Sequence, residues 1–124
     1  MMIVPASEED TVMLVKEREK WGYKCIELTA DEHELVHAFA FEDTVDIIFH
    51  HKRRFDKARY MCLKPGGYGY VERSGEKVDE TGCKHVWYEE VKYTYDGNKI
   101  ESKILEKRYF MRCIDLEKVL NALH

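Results

Sequence analysis

The amino-acid sequence predicts one α+β domain over residues 1–124, with an N-terminal helix, an antiparallel β-meander of about six to seven strands and a short C-terminal helix. Three observations predict this fold. Helix signals stand at both ends of the chain, β-branched and aromatic residues alternate with polar ones between them, and no repeat or linker-like stretch divides the sequence. A chain of 124 residues that is 44% hydrophobic and 35% charged is long enough for one modest core.

The first predicted element is a helix over 8–21. Ser7 can accept hydrogen bonds from the first backbone N–H groups, and the acidic residues at 8–10 lie where the helix dipole favours negative charge. Gly22 follows Trp21 and can adopt the positive φ that commonly ends a helix.

The central residues predict strands, because apolar side chains recur there with period two. The strongest pattern is a hairpin in which Asp96-Gly97 forms the tight turn. Alternate residues on each side of this turn should share a face, namely Val91, Tyr93 and Tyr95 on the first strand and Ile100 and Ile104 on the second. Further strands are predicted at 23–28, 45–49, 58–63 and 68–72, the last two joined by a turn at 64–67.

A second helix is predicted to begin at Asp115 and to run to the C-terminal end. Its apolar residues recur at helical spacing and should lie on one face: Leu116, Val119, Leu120 and Leu123.

The charges are unevenly distributed. Residues 1–46 hold 12 acidic and 4 basic side chains, whereas residues 47–64 hold 6 basic and 1 acidic. An acidic first third makes bulk DNA binding unfavourable, because such binding depends on cations that displace counterions from the phosphates. No stretch reaches the ~18–20 apolar residues that cross a bilayer, and the N-terminal residues lack the pattern of a secretory signal. We therefore expect a cytoplasmic protein without membrane contact.

The four cysteines are far apart in the sequence. Cys25, Cys62, Cys83 and Cys113 include no CxxC pair, so a zinc ribbon or a thioredoxin-like redox site is not indicated. In a cytoplasmic protein the expected state is four reduced thiols, several of them buried as small apolar side chains.

Residues 33–37 read His-Glu-Leu-Val-His, which resembles the HExxH signature of zincin metalloproteases. On a helix, His33 and His37 would lie one turn apart and could bind one Zn²⁺, while Glu34 served as the base for a metal-bound water. The resemblance therefore implies a zinc-dependent metallopeptidase.

The same residues also predict a strand, because His37, Phe39 and Phe41 alternate with smaller apolar residues. On a strand, the two histidines of the motif would lie ~13 Å apart at about 3.3 Å per residue, too far apart to bind one metal. The strand is the favoured prediction. We accordingly expect no catalytic residue and no cofactor, with zinc at His33 and His37 and catalysis by Glu34 as the alternative.

The densest basic segment spans 52–59. Its cationic residues are Lys52, Arg53, Arg54, Lys57 and Arg59. Arginine matches the geometry of phosphate and carboxylate groups, so this segment can bind a protein or a phosphate-bearing partner; the alternative is a solvated turn between two strands. Arg108 and Arg112 are four residues apart on a predicted strand, so they share a face and extend the basic patch if the sheet brings them near it.

Three functions follow from these features. The favoured hypothesis is a small non-catalytic binding module, of the inhibitor or adaptor type, that contacts a charged macromolecular partner and forms a homo-oligomer. The first alternative is the zinc metallopeptidase. The second is a protein that binds a small, nucleotide-like ligand, with Arg108, Arg112 and aromatic residues lining a pocket at a sheet or subunit junction.

Overall fold

The computed structural model describes residues 2–6, 8–30, 32–40, 44–51 and 57–113. Along the chain they form β1 (Met2–Ala6), α1 (Glu8–Lys20), β2 (Lys24–Ala30), β3 (Glu34–Ala40), β4 (Val45–His51), β5 (Lys57–Leu63), β6 (Tyr68–Val78), β7 (Cys83–Tyr95) and β8 (Ile100–Cys113). The α+β class and the N-terminal helix are therefore confirmed. The predicted helix that begins at Asp115 and the predicted Ser7 cap lie outside the described residues.

The strands form two four-stranded sheets, with the orders β1-β4-β5-β2 and β3-β6-β7-β8. Neighbouring strands are antiparallel except β1 and β4, which are parallel. Only β6, β7 and β8 form an uninterrupted meander, so the prediction of one antiparallel meander is wrong. Period-two alternation predicts that a segment is a strand, but it carries no information on which sheet the strand joins.

Helix α1 lies against the first sheet. Its inner face carries residues at helical spacing, with Thr11 buried and Leu14, Val15 and Arg18 half-buried. The helix ends as predicted, because Gly22 has a φ of +88° and its N–H donates to the Glu19 carbonyl at 3.1 Å.

The core lies between the two sheets. In the part of the chain whose burial is described, five buried apolar side chains pack together there, Leu28, Met61 and Leu63 from the first sheet and Val36 and Val71 from the second. Gly69 allows the sheets to approach closely, since a Cβ at this position would lie 2.6 Å from Sδ of Met61. The Met61 side chain therefore packs directly against the backbone of Gly69 on the inner face of the second sheet.

The hairpin predicted around Asp96-Gly97 is confirmed. Val91 lies opposite Ile104 and Tyr95 opposite Ile100, so these four side chains share one face. Asp96 Oδ1 accepts hydrogen bonds from the N–H groups of the two residues that close the turn, Asn98 at 2.7 Å and Lys99 at 2.8 Å. These bonds stabilise the carboxylate and lower the pKa of Asp96.

All four cysteines are paired in disulfide bonds, so the prediction of reduced thiols is wrong. Cys25 of β2 lies directly opposite Cys62 of β5, and Cys83 of β7 directly opposite Cys113 of β8. The separations in sequence, 37 and 30 residues, gave no indication of these pairs. Strand register brings each pair together, and register is a property of the folded sheets.

Candidate functional site

Strand β8, which ends the second sheet, is exposed along almost its whole length. It is the longest strand, with 14 residues, and every one of them except Ile100 is exposed. Within the described part of the chain it pairs only with β7. Its outer edge therefore presents backbone N–H and C=O groups that can pair with another strand.

Large apolar side chains accompany this open edge. Those of β8 with the greatest exposure are Tyr109 at 63%, Phe110 at 60%, Ile104 at 57%, Met111 at 51% and Leu105 at 44%. Three of them are consecutive in the sequence, so apolar surface lies on both faces of the strand at its C-terminal end. Long apolar edges of this kind are rarely left uncovered in monomeric proteins.

A β-bulge divides β8 into two parts. Ile104 lies opposite Val91 and Glu106 lies opposite Glu90, so Leu105 is an extra residue in this strand. The bulge shifts the alternation of faces by one residue. Two residues on opposite sides of the bulge therefore share a face when their residue numbers differ by an odd number.

Tyr109 belongs to a row of interacting side chains across the second sheet. It lies opposite Trp87, and Trp87 lies opposite Gly75. The Trp87 ring occupies the space above Gly75, where a Cβ would contact the indole and would lie 2.7 Å from the His33 carbonyl oxygen. Aromatic cover of a strand glycine stabilises its neighbouring strands and leaves a flat apolar surface beside β8.

The Tyr109 hydroxyl is held by a chain of polar side chains. Asp79 Oδ2 lies 2.7 Å from His85 Nε2, and His85 Nδ1 lies within hydrogen-bonding distance of the Tyr109 hydroxyl. A carboxylate can only accept, so Nε2 carries the imidazole proton; in the neutral ring Nδ1 then accepts from the phenol. This chain links the β6–β7 turn to the edge strand.

Asp79 is itself fixed by the turn. Its Oδ1 accepts from the backbone N–H and the hydroxyl of Thr81, at 2.9 and 2.7 Å, and from the backbone N–H of Cys83 at 3.0 Å. His85 and these donors hold the pKa of Asp79 far below its ordinary value. The disulfide from Cys83 to Cys113 closes the same end of β7 and β8.

A cleft of about 980 Å³ lies along the same region. Its lining includes four aromatic residues and one of the predicted basic residues, namely Trp87, Tyr88, Tyr109, Phe110 and Arg108. The Arg108 guanidinium stacks on the Tyr88 ring at 4.7 Å and its Nε lies 2.9 Å from Oε1 of Glu106. By the strand register, Trp87 and Tyr109 lie on one face of the sheet, whereas Tyr88 and Arg108 lie on the other. An aromatic surface suits either a protein side chain or a small aromatic ligand.

The remaining predicted binding residues fall in different places. Lys52, Arg53 and Arg54 lie outside the described residues, and strand β5 begins at Lys57 and includes Arg59. Arg112 lies opposite Lys84, on the face of β8 that also carries Arg108, so the predicted shared face is confirmed. Strands β5 and β8 belong to different sheets, and the proposed continuity of the two basic groups stays a prediction.

The HExxH hypothesis requires a helix at residues 33–37. This prediction is wrong, because Glu34–Ala40 form strand β3. His33 precedes this strand in a turn, while His37 lies on the strand opposite Glu72. Glu34 lies 3.2 Å from the Arg73 guanidinium, which also donates to the Thr29 carbonyl at 2.6 Å. Nowhere in the described ranges do three or more metal-ligating side chains gather. The strand predicted from the alternation is confirmed. Glu34 forms an ion pair with Arg73 of the neighbouring strand β6.

Comparison of the chain with protein-family models, curated proteins and solved structures gave no match in any of the three. The geometry of β8 is therefore the main guide to function. Sequence reasoning missed this edge, although the run Tyr109-Phe110-Met111 carried a signal. Three consecutive large apolar residues in a strand cannot all face one core, so at least one of them is predicted to lie on the face away from it.

Proposed function

We propose that this protein is a non-catalytic binding module that takes up an extended segment of a protein partner by strand addition at β8. One observation carries the proposal: the longest strand of the protein lies at the edge of a sheet and exposes five large apolar side chains. Backbone hydrogen bonds along such an edge provide affinity, and side chains on alternate faces provide specificity.

The flat row formed by Gly75, Trp87 and Tyr109 supports the proposal. Tyrosine and tryptophan are enriched among the residues that dominate binding energy at protein interfaces. The hydrogen bond from Tyr109 to His85 fixes the phenol ring before a partner arrives, which lowers the entropic cost of association.

Photo-crosslinking at the edge tests the proposal. A benzoylphenylalanine placed at Glu106 in β8 should form covalent adducts with the partner in intact cells, because this position lies directly beside any strand that pairs with the edge. The same group at Glu17, on the exposed surface of α1, serves as the control. Adducts at both positions in equal yield, or at neither, would contradict strand addition at β8.

A second candidate function is the binding of a small, nucleotide-like ligand in the cleft beside β8. The observation that favours it is the pair of aromatic residues Trp87 and Tyr109, which lie opposite each other and line the cleft. Titration with ATP, followed by the thermal midpoint, tests this function. Binding should raise the midpoint for the wild type but not for Trp87→Ala, and an unchanged midpoint at millimolar ATP would exclude nucleotides of this class.

The described helix α1 is too short and too polar to span a bilayer. The cytoplasmic location predicted from the sequence remains a proposal, and the two disulfides are more typical of an oxidising compartment. Alkylation of free thiols at the moment of cell lysis would show the state of the cysteines. Four blocked cysteines would support the cytoplasm, whereas four protected ones would oppose it.

A further inference from the structure

The second sheet has one edge that stands apart from the other sheet edges of this protein. The terminal strands are β1, β2, β3 and β8, with 5, 7, 7 and 14 residues. Strand β8 is thus twice as long as any other edge, and at ~3.4 Å per residue it extends for roughly 45 Å. Few protein segments offer a matching extended length, but a second copy of the same strand does.

We infer that the segment which pairs with β8 is β8 of a second copy of this chain, in antiparallel orientation about a two-fold axis at Lys107, with Glu106 of one copy opposite Arg108 of the other. This inference rests on the proposed function and names its partner. The two second sheets then form one continuous eight-stranded sheet. The interface is isologous, because each copy contributes the same residues to it.

The bulge at Leu105 makes this register consistent with the faces of the strand. With Leu105 as the extra residue in this ladder too, Ile104 of one copy lies opposite Tyr109 of the other. Within a single chain these two residues already share a face, since their β7 partners are Val91 and Trp87. Without the bulge, residues five apart would point to opposite faces. The register therefore places exposed apolar side chains against each other on one face.

The charges of β8 favour the same arrangement. Its first half, 100–106, carries two acidic and one basic residue, whereas its second half, 107–113, carries three basic and no acidic residues. Antiparallel pairing places the acidic half of each copy beside the basic half of the other. In particular Glu101 lies opposite Arg112, and both residues are exposed and lie on one face through their β7 partners Thr94 and Lys84.

A parallel arrangement lacks these advantages. It would place 107–113 of one copy beside the same basic residues of the other, and like charges directly opposite each other destabilise a sheet. A two-fold axis perpendicular to the sheet also relates antiparallel strands and not parallel ones. The charge pattern thus favours the antiparallel pair.

Charge reversal tests the inference on the full-length protein. Sedimentation velocity of the wild type should give a mass of twice 14.8 kDa. Arg112→Glu and Glu101→Arg should each weaken dimerisation by about tenfold, because each places like charges opposite each other at two symmetric positions. The double variant Glu101→Arg/Arg112→Glu should return the dissociation constant to within about threefold of the wild type. Lys20→Glu, on the exposed surface of α1, is the matched control.

Each other outcome decides against the inference. A wild type that stays monomeric at about 100 μM, or a double variant that does not recover, overturns it. If the Glu106 crosslinker captures a different protein while the purified chain stays monomeric, self-pairing falls and strand addition stands. If the crosslink forms within one chain to residues 114–124, that segment covers β8 and both proposals fall.

Discussion

Asp79 illustrates how one side chain organises a turn and reaches the candidate site. Three donors of the turn bind one of its carboxylate oxygens, and the other oxygen orients His85 toward Tyr109. The sequence predicted a hairpin over 86–111, but nothing in it indicated that Asp79, His85 and Tyr109 would meet. Their contact depends on the register of β7 with β8, which local patterning does not specify.

The first prediction concerns the pH dependence of stability through Asp79. The folded state lowers the pKa of this carboxyl, so its ionised form stabilises the protein above the ordinary value of 3.8, and this contribution is lost as the pH falls further. Asp79→Asn should therefore lower the melting temperature at pH 7, and the difference from wild type should shrink in acid. Melting curves from pH 7 to pH 2 measure this. Glu80→Gln, at the neighbouring exposed position, is the control, and an Asp79→Asn deficit that persists in acid would contradict the argument.

Strands β7 and β8 have some features that the sequence predicts and others that depend on the rest of the fold. The alternation of apolar residues and the Asp96-Gly97 turn were sufficient to predict the hairpin, its shared faces and its turn. Its extension to Cys83 and Cys113, its bulge and its exposure were not predictable, because they depend on where the first sheet ends and leaves the longer hairpin uncovered. Both disulfides link directly opposed residues of antiparallel neighbours, so each one also fixes a strand register.

The second prediction concerns the order in which the disulfides are reduced. Cys62 is fully buried and its partner Cys25 half-buried, whereas Cys113 is exposed and its partner Cys83 half-buried. Attack on a disulfide requires access, so dithiothreitol should reduce Cys83–Cys113 at least about tenfold faster than Cys25–Cys62. Alkylation at timed intervals followed by peptide mass spectrometry gives both rates.

Two double variants, each lacking one disulfide, check which disulfide is reduced in the fast phase. Cys83→Ser/Cys113→Ser should remain folded but lose about 2–4 kcal/mol of unfolding free energy, as expected for a closed loop of this size. Cys25→Ser/Cys62→Ser should retain the fast phase of reduction only. Equal rates for the two disulfides in the wild-type protein would show that burial does not control their reduction.

At the scale of the whole molecule, two sheets are held together by a small core. The chain passes between the sheets three times, so neither sheet is formed from one continuous segment. Among the residues whose burial is described, five side chains form this core, and the contact of Met61 with Gly69 limits how closely the sheets approach. The second sheet is longer than the first, so part of its surface lies beyond the core and becomes the candidate site.

The third prediction concerns this contact between the sheets. Gly69→Ala places a methyl group against Met61 and should cost about 1–3 kcal/mol by overpacking, while Met61→Ala should cost about 2–5 kcal/mol through the cavity that it leaves. In the double variant the new methyl group fills part of that cavity, so the total cost should be smaller than the sum of the two. Urea denaturation measures all three.

Controls for this cycle are available on α1. Val12→Ala, at a position that is 49% exposed, should change the unfolding free energy by less than about 0.5 kcal/mol. Strict additivity of Gly69→Ala and Met61→Ala would indicate that the two residues are not in contact.

The sequence by itself determined the α+β class, the helix from Glu8 to its end near Gly22, the positions of most strands and the hairpin turn at Asp96-Gly97, because spacing, turn residues and caps act over a few neighbouring positions. It left the segment at His33 to His37 open between helix and strand. The tertiary structure decided that β3 is a strand, that β1 joins β4 in parallel, that the cysteines pair and that β8 lies at an open edge. Each of these outcomes depends on contacts between residues distant in the sequence, and such contacts form only when the two sheets pack together.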